Sequence, residues 1–513
     1  MLKKNDGQVD LFDSVIFDRL IPKDHLLVKI DSIIDFSFVY DLVENQYSPI
    51  GRGSKDPVMM VKILLLEYLY NLSDVEVCRQ IQTDIVFRWF LGLGIFDEIP
   101  DDTTVSHFRV CRLTEDHFEA VFNQILQKCI EYDLVKTNRF IIDSTDVAAN
   151  TNYPSEKNLV RQAFRKVMKE AAVFNEPLAN QLLESIEADI QALYDQSDDP
   201  VHWKQHFEIT KMYLDKLYLE TYEELQHNES YAAAYRLCYD LIDQYQKKAK
   251  DKIVSITDPD ARVAHKSPGN IKRGYKNHLI VDEDSEIIIA SRQTPFNVGD
   301  EKELKELVEK ASNQMGSKPK EISADKVYGT FANRAYLMDN GITCHIDFYK
   351  ERSNEAQYFT IKDFNISSDF GSVTCPNQQT TSRYKVRYDK TKKADIRIFY
   401  FDEKQCQSCP LVDQCIYRIP NAKRPYKGRQ LVLHNRYDAA LRDQQHAKTE
   451  AFRIALGKRI KVERRFATLV RNRGLRLCRY TGLKGAKIHI TLANTAANIV
   501  RMVRLLFPEP QPT

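Results

Sequence analysis

Three carboxylates stand where a catalytic site could be assembled. Asp143 closes the apolar run RFIID, Asp325 closes EISAD, and Glu463 is the single acid in KRIKVERRFATLVRNRGLRL, which carries eight Lys or Arg. RFIIDSTD and EISADKVYG read as short strands ending in an aspartate. At helical spacing Glu463 lies one turn from Ile460, Phe466 and Ala467 and two from Val470, beside the apolar face. Hard oxygen ligands of this kind suit Mg²⁺ or Mn²⁺. Two such ions about 4 Å apart can clamp the attacking and leaving oxygens of a phosphodiester displacement. Plainer roles stay open at this point. A strand-end aspartate often caps a turn, and a glutamate in a basic helix is often a surface partner worth under about 1 kcal/mol. Asp146, Asp258, Asp282 and Asp300 are rival carboxylates that spacing does not exclude.

A second group is built from sulfur. Cys375-Pro376, Cys406-x-x-Cys409-Pro410 and Cys415 form a C…CxxC…C pattern in a polar segment. Thiolates at this spacing bite one tetrahedral Zn²⁺, and a closed structural site would hold such a segment together. Four reduced thiols without metal are the alternative. Cys78, Cys111, Cys129, Cys238, Cys344 and Cys478 are scattered and read as packing residues.

Cations gather around these groups. Arg464, Arg465, Arg471, Arg473, Arg476, Arg479 and Lys484 flank Glu463. Lys266, Lys272, Arg273 and Lys276 lie in the loop leading into a hairpin, with Tyr275 as a stacking ring. In PDDTTVSHFRVCRL a short helix would expose His107, Arg109 and Arg112, as a helix-turn-helix reader or as ordinary surface cations of a bundle. Where a charge run meets a phosphoryl-transfer site, duplex DNA is the expected partner. Binding would then weaken steeply with salt, with a slope near −0.9 per phosphate contact.

The elements that must position these residues follow from the pattern. A chain of 513 residues exceeds one hydrophobic core. Residues 55–135 read as helices, including a turn at Asn71-Leu72-Ser73 and a helix capped by Ser73. A strand through Asp143 comes next, then an acidic helical insertion over 155–251. KNHLIVDEDSEIIIASRQT reads as a hairpin. A helix, the Asp325 strand, a second helix and the strand TCHID follow. After a Cys-containing segment over 351–440, one long helical pattern runs from Tyr437 through Glu463, and KIHITLANTAANIVRMVRLLF is the last helix. Without the insertions this is an α/β unit with a mixed sheet, in the element order of a ribonuclease-H-like fold. Composition agrees with a soluble globular protein: 43% of residues are hydrophobic, 28% are charged and the net charge is only +2. MLKKNDGQVD has no apolar run after its lysines, and VMMVKILLLEYLYNL is interrupted and too short to span a bilayer. A cytoplasmic protein, not associated with a membrane, is expected.

Several blocks resemble bacterial insertion-sequence DDE transposases. IIDSTDVAANTN resembles their first-aspartate motif. SITDPDARVAHKSPGNIKRGYKNHLIVDEDSEIIIASRQTPFNVGDEKEL and ISADKVYGTFANRAYLMDNGI resemble the block before the second aspartate and the second-aspartate block. IKVERRFATLVRNRGLRLCRYTGL and LANTAANIVRM resemble the glutamate helix and the C-terminal helix, while SPIGRGSKDPVMMVKILLLEYLYNLSDVEVCRQI and DDTTVSHFR resemble the N-terminal helical domain. The resemblance implies a ribonuclease-H-like catalytic core with Asp143, Asp325 and Glu463 as catalytic metal ligands for Mg²⁺ or Mn²⁺. It implies cleavage at the ends of a mobile element, transfer of the 3′-hydroxyl ends to target DNA, a homodimer in the synaptic complex and residence in the bacterial cytoplasm, at the nucleoid when bound to DNA. The corresponding division is a helical DNA-binding domain (1–135), a core (136–350) holding the helical insertion, a zinc-binding insertion (351–440) and the end of the core (441–513). The pattern departs from the family after and before the glutamate. Tyr437 and Arg442 lie far upstream of it, and Val470 followed by Arg471 stands where a lysine is common. A metal-dependent nuclease that does not join ends, and a catalytically silent DNA-binding derivative, are the alternative functions.

Overall fold

The computed structural model describes Leu2, Lys4 and residues 10–508, apart from Pro49, Gly51, Arg52, Thr137, 196–201, 247–250, Pro268, 350–357, 390–393 and 417–427. Its centre is a mixed sheet of β1 (Arg139–Ala148), β2 (Arg262–Ser267), β3 (Asn270–Asp282), β4 (Ile288–Pro295), β5 (Glu321–Ala324) and β6 (Thr343–Ile346). The strands run in the order β4-β3-β1-β5-β6, and β2 pairs with the start of β3. β3 is antiparallel to β1 and β4, whereas β1, β5 and β6 are parallel.

The central strands are continuous apolar runs: Phe140–Ile142, Leu279–Val281 and Ile287–Ala290 are all buried. Such runs fit a sheet covered on both faces. Helix Gly482–Leu506 lies on one face and is pinned by Asn498, which accepts from the Ile288 N–H and donates to the Ile288 carbonyl. Asn277 donates to Asn494 alongside. These buried amides are paired, so they fix the helix without an unsatisfied group. The same helix packs against helices Pro57–Leu69 and Glu115–Glu131, so the N-terminal helices and the sheet share one continuous core. The turn at Asn71, with φ of 54°, and a reciprocal Ser73–Glu76 cap separate Pro57–Leu69 from helix Asp74–Thr83, as the sequence indicates.

Helices Glu156–Asp195, His202–Glu220 and Glu229–Gln246 close around a second core that includes Leu182, Ile186, Leu214 and Leu241. The first of them kinks at Asn175, two residues before Pro177. The Cys-containing segment has its own three-stranded antiparallel sheet, β7 (Tyr384–Asp389), β8 (Ala394–Tyr400) and β9 (Gln430–His434), over Phe364, Phe399, Leu431 and Leu433.

The structure corrects three expectations. β1 does not stop at Asp143 but continues to Ala148, because β3 pairs with it along that whole length. Lys272, Arg273 and Lys276 lie on β3 and Lys266 on β2, not in a loop; the polar sequence hid a strand pair turning at Gly269, whose φ is +80°. The long helix expected from Tyr437 is three helices, Tyr437–His446, Glu450–Lys458 and Ile460–Asn472, because Thr449 caps the second and the chain bends at Arg459. Among the described residues, no helix is long and apolar enough to cross a membrane.

Candidate active site at the edge of the parallel strands

The parallel register of β1 and β5 ends with Ile142 opposite Ala324. Next come Asp143, still paired to β3, and Asp325, the first residue after β5, so the two aspartates stand side by side where the parallel strands part. The carboxyl ends of parallel strands are where open α/β sheets place their ligands.

Arg459 joins them. Its guanidinium lies 3.5 Å from Asp143 Oδ2 and 3.7 Å from Asp325 Oδ1. Burial pushes the Asp143 carboxyl up to about 6, against the Ser144 N–H that it accepts and the pull of Arg459; Asp325 and Asp300 nearby push the same way as burial. Asp325 is half exposed. Arg459 caps helix Ile460–Asn472 one turn before Glu463. Residues four apart share a helix face, so Glu463 lies on the same face as Arg459, one turn further along the helix. Sequence reasoning missed Arg459. The signal was its i, i+4 relation to the one acid of the basic run.

Glu463 itself is exposed, and the buried positions of its helix are Val462, Arg465, Phe466 and Leu469. The expected apolar face was therefore rotated: Ile460 is 59% exposed, while Arg465 is buried and donates to the Ala497 carbonyl. A cation that snorkels inward breaks hydrophobic periodicity. Among the described residues, no group of three or more His, Cys, Asp or Glu is arranged to hold a metal ion. Two hard oxygen donors and a third on the adjoining helix face match the donor chemistry of Mg²⁺ or Mn²⁺, but a guanidinium lies between the first two.

The rival carboxylates resolve by their contacts. Asp258 accepts from the buried Tyr275 hydroxyl, and Asp282 caps the β3–β4 turn through the Ser285 N–H and hydroxyl. Asp146 lies 3.9 Å from Lys272. Asp300 belongs to the site's surroundings: it accepts from the Ser144 hydroxyl at 3.0 Å and from Lys276 at 2.6 Å. It thereby braces the residue after Asp143 while its own charge is paired.

Many of the expected DNA-contacting cations have internal partners. Tyr275 is fully buried, so it is not a stacking platform. Lys276 is held by Asp300 and the Val298 carbonyl. Arg464 pairs with Glu286 at 2.8 Å, and Lys458 and Lys461 bind Glu283 of the same acidic turn. Arg473 is buried against the Tyr68 and Leu69 carbonyls, and Arg479 donates to the Leu72 carbonyl and Asn71. Arg109 is only 5% exposed, bonded to Asp74 and stacked over Tyr480, so it is not an outward-facing reader. Arg112 donates to the Gln46 carbonyl, while His107 is exposed. Charge spacing alone cannot separate cations that tie elements together from cations that face solvent. Lys272, Arg273 and Arg476 line one groove beside the end of β1, and Arg471 and Lys484 are exposed. Lys266 falls among residues whose side chains lie outside those described.

Cys375, Cys406, Cys409 and Cys415 do come together, lining one pocket with Arg429 and Phe401. As placed they are not close enough to hold an ion. The CxxC spacing brings the thiols to one pocket without closing it. Burial pushes the Cys415 thiol up to about 11 and raises that of Cys406. Backbone N–H groups of Leu411 and Arg429 point at Cys409 Sγ and Cys406 Sγ, at 3.4 and 3.5 Å.

Comparison with protein families gives two matches. Residues 15–111 match the family described as Transposase domain (DUF772). Residues 374–503 match the family described as Transposase DDE domain, a span that includes Cys375, Cys406, Cys409, Cys415, Arg459, Glu463 and most of the last helix.

Proposed function

We propose that this chain, matched over residues 15–111 and 374–503 by two transposase families, is an insertion-sequence DDE transposase in which Asp143, Asp325 and Glu463 form a metal-dependent site that cuts the ends of the element and joins the freed 3′-hydroxyls to target DNA. The observation that carries this reading is the pairing of Asp143 and Asp325 beyond the last parallel register of β1 and β5, both facing Arg459 on the helix of Glu463. The sheet order fits a ribonuclease-H-like core.

Divalent ions would supply a lowered pKa for the attacking water or 3′-hydroxyl and neutralise the leaving oxygen. The protein's part is positional. Asp143 and Asp325 hold the ions from neighbouring strand positions, and Glu463 completes the set from its exposed helix face. Arg459 exchanges the two aspartates for a phosphate oxygen, which keeps its charge paired throughout. Asp300, clamped by Lys276, fixes Ser144 and with it the direction of Asp143. DNA runs along the groove of Lys272, Arg273 and Arg476, and the exposed Arg471 and Lys484 supply further phosphate contacts. The N-terminal helices, with His107 exposed, read the element ends, and two copies form the synaptic complex. The four cysteines that share one pocket would hold Zn²⁺, whose binding would have to overcome the burial that raises the Cys406 and Cys415 thiols. Elemental analysis of chelator-free protein should then find about one zinc per chain, and its absence would remove zinc from this reading.

A strand-transfer assay with labelled DNA from the element's own flanks and Mg²⁺ or Mn²⁺ tests the function. Cleaved ends joined to target DNA are expected. Cleavage without joining would indicate a nuclease, and binding without cleavage a silent derivative.

A further inference from the structure

Strand β7 lies at the edge of the cysteine lobe's sheet, paired among the described residues only with β8. From Tyr384 to Tyr388 each of its residues is exposed, on both faces of the strand. Alternation puts Tyr384, Val386 and Tyr388 on one face, at 40%, 62% and 56% exposure, and Lys385 and Arg387 on the other. Arg383 just before the strand is exposed as well. The sequence continues with Lys390, Thr391, Lys392 and Lys393, which lie outside the described residues.

Edge strands are commonly protected from pairing by charges, and Lys385 with Arg387 would serve that purpose. Protection does not explain Val386 and Tyr388 left in solvent on the opposite face, where Tyr384 packs on Phe399 with Arg397 over its ring. The β7 edge of this three-stranded sheet presents cations for the phosphates of duplex DNA and apolar side chains for its sugars and base edges. The cations outnumber Asp389, the one acid within the strand, which favours a polyanion over an acidic or neutral protein.

We propose that the β7 edge of this sheet is a second duplex-DNA contact, separate from the groove beside β1, with Lys385 and Arg387 on phosphates and Tyr388 against the groove wall. The proposal rests on the reading of this chain as a transposase and extends it to where DNA lies on the cysteine lobe.

The test compares the wild-type chain with the double variant Lys385→Gln/Arg387→Gln, binding a short duplex between 50 and 200 mM salt. Both side chains are exposed, so the melting temperature should not move. Loss of two phosphate contacts should flatten the slope of log K against log salt by about 1.8, so that the wild-type advantage shrinks about tenfold across that range. Tyr388→Ser should weaken binding while leaving the slope unchanged. Parallel slopes for the double variant, with wild-type binding and cleavage intact, would overturn the edge contact alone. Parallel slopes together with a change in sedimentation would mean that the edge meets a second copy of the chain. Failure of the wild-type chain to bind duplex at all would overturn the transposase reading and this inference together.

Discussion

Replacing Arg459 by Gln should tighten divalent-metal binding while impairing cleavage. In the metal-free site the guanidinium is 3.5 Å from Asp143 and 3.7 Å from Asp325, so a cation entering between the aspartates must displace it. The Asp325 pair is half exposed and is worth under about 1 kcal/mol. Asp143 has a side chain only 20% exposed, and its pair is worth more, about 1–2 kcal/mol once the arginine's own desolvation is set against the attraction. Relieving both contacts removes roughly 2 kcal/mol of competition, or about thirtyfold in Mn²⁺ affinity. Calorimetric titration with Mn²⁺ at pH 8 and constant ionic strength measures this directly, since Asp143 is ionised there in both proteins. Arg459→Lys keeps the charge and should bind Mn²⁺ more as the wild type does. Unchanged or weaker Mn²⁺ affinity in Arg459→Gln would refute the idea that Arg459 stands where metal binds.

Three further outcomes follow from named contacts. Asp143 has a raised pKa, so the folded chain binds its proton more tightly than the unfolded chain does, and stability is lost as pH rises from about 4 to about 6. Asp143→Asn should therefore gain stability relative to wild type by about 1.4 kcal/mol between pH 5 and pH 7 in metal-free buffer, read as a widening difference in denaturation midpoint; a constant difference would contradict the burial of that carboxylate. Arg334 and Asp443 form a buried pair at 3.0 Å, each side chain 2% exposed, and Arg334 also donates to the Ile346 and Asp347 carbonyls. Arg334→Ala should cost about 3–5 kcal/mol in urea unfolding. Arg473→Gln should lower stability yet leave the salt dependence of DNA binding unchanged, whereas Arg476→Gln should flatten that slope by about 0.9 with little effect on folding.

What the sequence revealed depended on whether a residue's role was set locally. Asp143 and Asp325 could be named as candidates because each follows a short run that reads as a strand, and the parallel register of those strands puts them side by side. The Ser73 cap, the β3–β4 hairpin and the helical insertion were legible for the same reason: their signals lie within a few residues. The basic run was not. Lys458, Lys461 and Arg464 are bound by the acidic turn of Glu283, Asp284 and Glu286, and Arg465 and Arg473 satisfy buried carbonyls. Those partners are distant in sequence, so spacing could not tell them from solvent-facing cations. Arg109 failed in the same way, through Asp74 and Tyr480. The four cysteines gather in one pocket as their spacing indicates, but ligand distance is a matter of tenths of an ångström that no pattern encodes.

The most direct measurement concerns Glu463, the site residue with the fewest structural contacts. Its side chain is exposed, so Glu463→Gln should leave the melting temperature within about 1 °C of wild type, as exposed substitutions usually do. Cleavage of labelled element-end DNA in Mn²⁺ should then fall by at least about a thousandfold if this carboxylate completes the metal site, of the order seen when a group acting directly on the reacting charge is removed. Cleavage at the wild-type rate by the folded Glu463→Gln chain would contradict the assignment of Asp143, Asp325 and Glu463 as one catalytic site.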